Sequence, residues 1–496
     1  MKIIIAGGGT AGWLAALMIS KTFKDQHTIT LVESENIGTI GVGEGSTGFL
    51  RGVVNNEVWD YGCNELDFMK EAKVTPKLGI LFKEWASLQT EYMEPIDSPP
   101  TSNVLGSNSL LSFFKANDLD ISLSSVNGRL MSHDLSGFTN ENGNLEGHGN
   151  HAYHFDSKLA ANYFRKICSS SIRTINDEIK DINLDDNGSV VSLTLSSGDI
   201  LEGDFFIDAS GFSRIFSKKM NVKFIEYKEL TLNSAIPFRL EYDYFEKPFF
   251  YTISWAQKYG WMWMIPRSDS VGCGYIYDDR FIDESQAKIE IEEKLGVEIE
   301  IIKKLKFTPG RLEKAWNKNV LSIGLSSNFL EPLEATSIHG TIAQLNTFIY
   351  SYLENSLEKT VTADKQNSYN NQIERMVDNF RDFILLHYAG TRQDTDFWKN
   401  INESALNNLN IKKIIAASKS RLLFSSDLDF PYAASSYELF NWVLCGLDHY
   451  SKETASKELN MFNRSKIAQS SEFTIGNYIQ NKNWLTNQEF LKFISD

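Results

Sequence analysis

Lys2-Ile-Ile-Ile-Ala-Gly-Gly-Gly-Thr-Ala-Gly-Trp13 is the stretch that decides the fold. Residues 2–6 are an unbroken apolar run, the pattern of a strand buried on both faces. They lead directly into Gly7-x-Gly9-x-x-Gly12, and the Ala/Leu-rich residues from Trp13 to Ser20 have helical spacing. Thr28-Ile-Thr-Leu-Val-Glu33 supplies the next strand, so residues 2–33 spell a complete βαβ unit of an α/β fold. Gly7 permits the tight turn, Gly9 lets backbone approach a pyrophosphate, and Gly12 lets the helix pack close to the sheet. Thr10 and Ala11 complete that turn, where free N–H groups and partial positive charge suit a diphosphate. Glu33 can accept hydrogen bonds from ribose hydroxyls.

FAD and NAD are not separated by this motif. Two later stretches favour FAD. Gly41-Val-Gly-Glu-Gly-Ser-Thr47, with Glu44 at its centre, is a second glycine-rich loop suited to an extended cofactor. Gly203-Asp-Phe-Phe-Ile-Asp-Ala-Ser-Gly211 is a strand running into an Asp-x-Ser-Gly turn able to close over the far side of a flavin. Taken singly, each is an ordinary loop or strand end.

At 496 residues the chain has room for roughly three domain-sized units and a large core. Its net charge of −15 argues against a nucleic-acid partner, which needs surplus Lys and Arg. The four cysteines are scattered, without CxxC or zinc spacing, and no His/Asp/Glu set has metal-ligand spacing, so no metal is expected. No apolar run approaches the ~18 residues of a membrane span, and a soluble cytoplasmic protein is expected.

Residues 86–150 are rich in Ser, Asn, Gly and Asp and read as long loops and short elements. Residues 179–207 read as strands with a turn at Asp185-Asp-Asn-Gly188, and 225–310 contain several more strand-like runs. Beyond about 340 the spacing is helical. Within the second set of strands, Trp261-Met-Trp-Met-Ile-Pro266 puts two indoles on one face of a short buried strand that stops at a proline.

With these residues in view, the chain resembles the flavin-dependent halogenases, the relatives of tryptophan halogenase. The resemblance runs from Lys2 to about Trp442. It rests on Gly7 to Gly12, Gly43-Glu44, Pro76-Lys77-Leu-Gly-Ile80 with Phe82 and Trp85, and Tyr153-His-Phe-Asp156. Gly260 to Pro266, Gly310-Arg311 with Trp316, and Ile323-Gly-Leu-Ser326 continue it. Glu331-Pro-Leu-Glu-Ala-Thr-Ser-Ile338 and Leu386-His-Tyr388 to Phe397-Trp398 complete it.

The resemblance implies a GxGxxG FAD-binding fold with an inserted substrate β-sheet and a C-terminal helical cap. The expected division is an FAD module in three parts (1–85, 151–224, 306–345), a loop-rich insertion near the substrate cavity (86–150), a substrate-side sheet (225–305) and a helical cap (346–496). The resemblance also implies two-component chemistry. A separate flavin reductase supplies FADH2, and O2 with chloride or bromide then yields hypohalous acid. This oxidant passes to Lys77 and on to an electron-rich aromatic carbon. A free lysine titrates at about 10.4, so a haloamine at Lys77 requires a lowered pKa, whereas an ammonium can polarise hypohalous acid by hydrogen bonding. Both routes stay open.

Glu334 matches the partner glutamate, which can stabilise an arenium cation and take its proton. Glu331, three residues earlier, is the alternative carboxylate. Thr336 and Ser337 match the halide-binding positions, and Ile179, Leu325 and Ile338 match backbone contacts to FAD. Trp261 and Trp263 match the strand that shields the flavin from direct oxygen transfer. The sequence departs from the commonest family pattern at Ala335, for a frequent serine, and Ser337, for a frequent glycine, which puts the halide preference in doubt. His154, His339 and His387 are expected to be structural. Trp398 and Trp442 suit either a cavity lining or a packed core.

No convincing copy of the segment that recognises free tryptophan is present. Ser436-Tyr-Glu-Leu-Phe-Asn-Trp442 is the nearest candidate, with a different order. The expected substrate is an indole, phenol or pyrrole type, free or carrier-tethered, and a homo-oligomer is expected. The rival readings are an FAD-dependent aromatic hydroxylase, a non-catalytic FAD-binding protein and, more distantly, a nicotinamide-dependent dehydrogenase.

Overall fold

The computed structural model describes residues 1–37, 43–56, 58–97, 104–353, 362–428, 436–461 and 463–495. The chain folds as two compact units and passes between them several times. The first gathers Met1–Lys73, Phe155–Lys228 and Phe307–Asp378. The second gathers Val74–His154, Glu229–Lys306 and Asn379–Asp496.

The first unit is built on the sheet that the glycine-rich start predicts. Lys2–Ala6 is central, with Thr28–Glu33 on one side and Phe205–Asp208 on the other. Arg173–Asn176 and Val320–Ser322 extend it in parallel, and Trp316–Asn317 closes one edge antiparallel. Four of the five residues of Lys2–Ala6 are buried, which explains why that strand reads as a continuous apolar run rather than an alternating one. The crossover helix runs from Thr10 to Phe23, with ten buried positions that exclude water from the sheet. A smaller antiparallel sheet of Ile179–Leu184, Val190–Leu195 and Ile200–Glu202 contains the turn expected at Asp185–Gly188.

The second unit centres on a seven-stranded sheet. Its order is Leu305–Lys306, Ser234–Leu240, Val271–Tyr277, Gly260–Pro266, Thr252–Ala256, Gly79–Lys83, Glu91–Pro95. Only the pairing of Thr252–Ala256 with Gly79–Lys83 is parallel. Every residue of Gly260–Pro266 is buried. Helices including Asp396–Asn407, Leu409–Ser418 and Tyr437–Gly446 follow in the C-terminal third, as the spacing predicts.

The chain differs from the sequence reading in three places. Within 86–150, read as loops and short elements, Val104–Ala116 is a 13-residue helix whose Ser and Asn content hid it. Glu284–Leu295, inside the strand-rich 225–310 stretch, is a helix with a capping box at Asp283 and Gln286. Trp484–Thr486 is a strand near the C-terminus, paired with Leu135–Glu141. Gly41 and Val42 of the second glycine-rich loop lie outside the described residues. Among the described residues no helix is long and apolar enough to cross a membrane.

Candidate active site

In the first unit the three motif glycines differ in what surrounds them. A Cβ at Gly7 would fall 2.3 Å from the Ala209 oxygen, and one at Gly12 only 1.9 Å from the Gly7 oxygen. Gly7 also has φ +118°, a region that favours glycine. A Cβ at Gly9 meets nothing within 4 Å. Gly9 caps the crossover helix without a side-chain hydrogen bond, so an open face lies at a helix start whose N–H groups take no side-chain cap there. That open cradle fits a pyrophosphate.

The acidic end of the cradle holds partners that the motif did not reveal. Glu33 accepts from Trp13 Nε1 at 3.2 Å and pairs with Arg165 at 3.0 Å. The Arg165 guanidinium also lies over the Trp13 ring, 5.7 Å from its centroid. Gly8, the middle glycine, is close-packed as well, because a Cβ there would fall 2.5 Å from the Glu33 Cβ. The signal was available in the Gly-Gly-Gly run. Thr10 donates to the Ser157 carbonyl at 3.2 Å, and Ala11 lies against Gly324, where an added Cβ would come within 3.0 Å of the Ala11 Cβ.

The Phe205–Asp208 strand ends in the expected turn. Asp208 is fully buried and accepts from Ser210 N at 3.0 Å and Ser210 Oγ at 2.6 Å, while burial pushes its carboxyl above the ordinary range. Ile323 N bonds the Asp208 carbonyl at 3.0 Å, and Ser326 Oγ bonds that of Gly211 at 3.2 Å. These bonds set the loop carrying Leu325 beside the turn. Glu44 is pushed up to about 7 by burial and by the Asp156 carboxylate. Ile179 opens the first strand of the small sheet, and Ile338 is 9% exposed in the helix described next.

Thr336–Phe348 is a 13-residue helix whose N-cap, Ala335, makes no side-chain hydrogen bond. Glu334 (φ 67°) and Ala335 (φ 53°) are both left-handed, an uncommon state for residues with a Cβ and a costly one for two in succession. This turn delivers the chain abruptly into the helix, so Thr336 and Ser337 present first-turn N–H groups suited to an anion. Of the two competing carboxylates, Glu331 is 2% exposed, whereas Glu334 is partly accessible. His339 makes a 2.8 Å bond to Thr47, packs at a tilt of 41° on Phe49, and is held neutral by burial at a pKa of about 3.

In the second unit Lys77 ends the short strand Thr75–Lys77 and is 3% exposed. That burial sets it apart from an ordinary solvated lysine. The strand pairs antiparallel with Ala152–His154, Lys77 opposite Ala152 and Thr75 opposite His154. His154 bonds Thr252 at 2.8 Å and Thr75 at 3.3 Å, and burial together with the Lys77 charge holds its pKa well below the usual value. His387 bonds the Phe383 carbonyl at 2.9 Å and lies 3.6 Å from Glu94.

Trp261 and Trp263 share a face, with ring centroids 6.2 Å apart. Trp263 lies on Gly274, where a Cβ would meet its ring at 2.1 Å. Trp261 packs on Trp85, which in turn packs on Trp398. Trp398 donates to the Gln257 carbonyl at 2.7 Å, and Trp442 is fully buried among Leu111, Leu422 and Tyr450. Both are core residues.

The sequence profile of the tryptophan halogenase family matches residues 2–462. The chain is 32% identical over 435 residues to tryptophan 7-halogenase RebH of Lentzea aerocolonigenes, covering 82% of this chain and 79% of that protein. Among solved structures it is similar to Xcc4156, a flavin-dependent halogenase from Xanthomonas campestris, with a TM-score of 0.81, 27% identity and coverage of 99% and 97%. It is also similar to BrvH, a flavin-dependent halogenase from Brevundimonas, with a TM-score of 0.83, 25% identity and 99% of each chain covered.

Proposed function

Because the chain belongs to the tryptophan halogenase family, a family of flavin-dependent enzymes, we propose that it halogenates an electron-rich aromatic of the indole, phenol or pyrrole type through Lys77. The observation that carries this reading is a lysine 3% exposed at the end of a short strand in a family-matched segment. A buried amine needs a reason to be there.

FAD, held at Gly7, Gly9, Thr10, Ala11, Gly12, Glu33 and Glu44 and along Ile179, Leu325 and Ile338, supplies when reduced the activation of O2 for halide oxidation. The reduced cofactor comes from a separate reductase. Thr336 and Ser337 hold the halide through N–H groups at the start of their helix. Lys77 holds hypohalous acid and polarises its O–X bond, or carries the halogen as a haloamine. As the ring carbon attacks, a C–X bond forms and the O–X or N–X bond breaks. Glu334 stabilises the ring cation and takes its proton. On the hypohalous acid route, the departing hydroxide takes a proton from the Lys77 ammonium and leaves as water; on the haloamine route, the Lys77 nitrogen leaves with the N–X electron pair and takes up a proton, which regenerates the amine. Trp261 and Trp263 do no chemistry; their role is one of packing.

RebH is named for tryptophan, but the segment expected to recognise the free amino acid has no clear counterpart here. A smaller or carrier-tethered aromatic is therefore the first choice. The test is mass spectrometry of products from an indole and phenol panel, with FAD, a reductase, NADH, catalase and either bromide or chloride. A bromine isotope doublet that disappears in Lys77→Ala supports the proposal. An oxygen-sized mass gain without halide would instead assign a hydroxylase.

A further inference from the structure

The Thr75–Lys77 strand is thinly held by its backbone. It is three residues long, and its middle residue, Pro76, has no N–H to give to the ladder. Backbone bonds resume at Leu78, which donates to the Phe250 carbonyl at 2.9 Å, so side chains add to the hold on Thr75 and Lys77 where the ladder is weakest. Thr75 and Lys77 sit two apart on the strand and share a face, so fixing one fixes the direction of the other.

Thr75 is fully buried, and its hydroxyl donates to the Pro266 carbonyl at 2.7 Å. That carbonyl ends the tryptophan strand. A hydroxyl has one proton, so towards His154, 3.3 Å away, Thr75 Oγ1 can act only as an acceptor. His154 Nδ1 must then carry the proton. Nε2 is left with a lone pair, which accepts the Thr252 hydroxyl at 2.8 Å. The order of donation is fixed from end to end: Thr252 to His154, His154 to Thr75, Thr75 to Pro266. The imidazole is fully buried, and its neutral form satisfies both neighbours.

We propose that His154 is a positioning residue for Lys77, a neutral Nδ1–H imidazole that ties the lysine strand through Thr75 to both Thr252 and Pro266. The inference rests on the reading of Lys77 as the residue that delivers the halogen. His154 takes no proton from substrate. Its effect is to hold the lysine within the narrow range of positions that delivery requires, since misplacement on the ångström scale costs large factors in rate.

The experiment separates delivery from oxidant formation. Halogen reaching indole is compared with halogen captured by a small 1,3-dicarbonyl scavenger in solution, with FAD affinity measured alongside. Thr75→Val, which removes the hydroxyl at near-constant volume, is expected to lower the delivered fraction about tenfold with FAD affinity unchanged. Thr75→Ser is expected to restore it. Delivery at the wild-type level in Thr75→Val overturns the positioning role. Lys77→Ala separates the two ideas: full delivery in that variant sinks the lysine reading itself, whereas lost delivery there beside normal delivery in Thr75→Val sinks only the role of His154. Should Thr75→Val fail to fold, nitrogen-15 NMR of the wild-type protein decides, with the signal assigned by its loss in His154→Gln. An Nδ1–H tautomer is expected at His154, and an Nε2–H tautomer refutes the donor order.

Discussion

Gly9→Ala and Gly12→Ala are one methyl group each, three residues apart in one turn, and the structure gives them opposite consequences. Gly9 has φ −76° and ψ −178°, extended backbone open to any residue, and its added Cβ meets nothing within 4 Å. Alanine is a poorer helix cap than glycine, by about 0.5–1 kcal/mol, but its restriction of the unfolded chain contributes about 0.4–1 kcal/mol in the other direction. These effects offset, so the melting temperature without cofactor should stay within about 3 °C of wild type. With FAD bound, the methyl occupies the space through which backbone approaches the pyrophosphate. Overpacking of that kind costs about 1–3 kcal/mol, which is roughly 5- to 150-fold in Kd. At Gly12 the same methyl would sit 1.9 Å from the Gly7 oxygen, backbone that cannot step aside. The helix must lift from the turn, at about 3 kcal/mol or more of stability. Thermal denaturation without FAD, followed by titration of flavin fluorescence, reads both effects. Wild-type FAD affinity in Gly9→Ala would refute the placement of the pyrophosphate there. Unfolding of Gly9→Ala to the extent of Gly12→Ala would refute the account of the free turn.

Gly274→Ala should displace the Trp263 indole and cost about 1–3 kcal/mol, visible in near-UV circular dichroism; an unchanged tryptophan spectrum would show that the ring does not rest on Gly274. Asp97 is pushed by burial from 3.8 to about 7, against the Asn127 N–H that bonds it at 3.3 Å. A raised carboxyl favours the folded chain when protonated, so stability falls as pH rises from about 4 through 7, by on the order of 4 kcal/mol. Asp97→Asn should remove that fall; identical melting-temperature differences between pH 5 and pH 8 in variant and wild type would contradict it. All four cysteines are free and buried, and burial pushes Cys63 and Cys445 up to about 12. Disulfide-exchange reagents at pH 8 should therefore titrate no thiol in the native protein and four in denaturant, and any rapid native reaction would count against the burial.

The βαβ unit was legible because each of its signals is local. An apolar run, a glycine turn and an acid at the end of a strand lie within 33 residues, and they emerged at Lys2–Ala6, Thr10–Phe23 and Thr28–Glu33. The helix began three residues before its apolar pattern, because Thr10 to Gly12 form a first turn that carries no hydrophobic signal. Val104–Ala116 escaped notice because its helical state depends on burial of Leu110, Leu111 and Phe114 rather than on propensity. At the candidate site, residue types pointed to Lys77 and Glu334, but not to what surrounds them. Nothing in the spacing of Thr75, His154, Thr252 and Pro266 announces one hydrogen-bonded chain, since the four come from two different sheets and meet only through their side-chain bonds in the fold. The left-handed turn at Glu334 and Ala335 was equally silent, neither residue being one that favours it.

The central strand of the parallel sheet has a biosynthetic consequence. Lys2–Ala6 finds Thr28–Glu33 almost as soon as both are made, but its other neighbour is Phe205–Asp208, which in turn pairs with Val320–Ser322. At about 5–20 residues per second, the first strand leaves the ribosome some 10–40 s before that second neighbour exists. Through that interval an apolar strand stands with one edge open, the situation in which chains aggregate or recruit chaperones. A flavin that binds only once the three distant stretches have met would add stability to them by mass action. The yield of soluble protein in the cell should thus depend on flavin supply during synthesis, as well as on the finished enzyme's affinity for it.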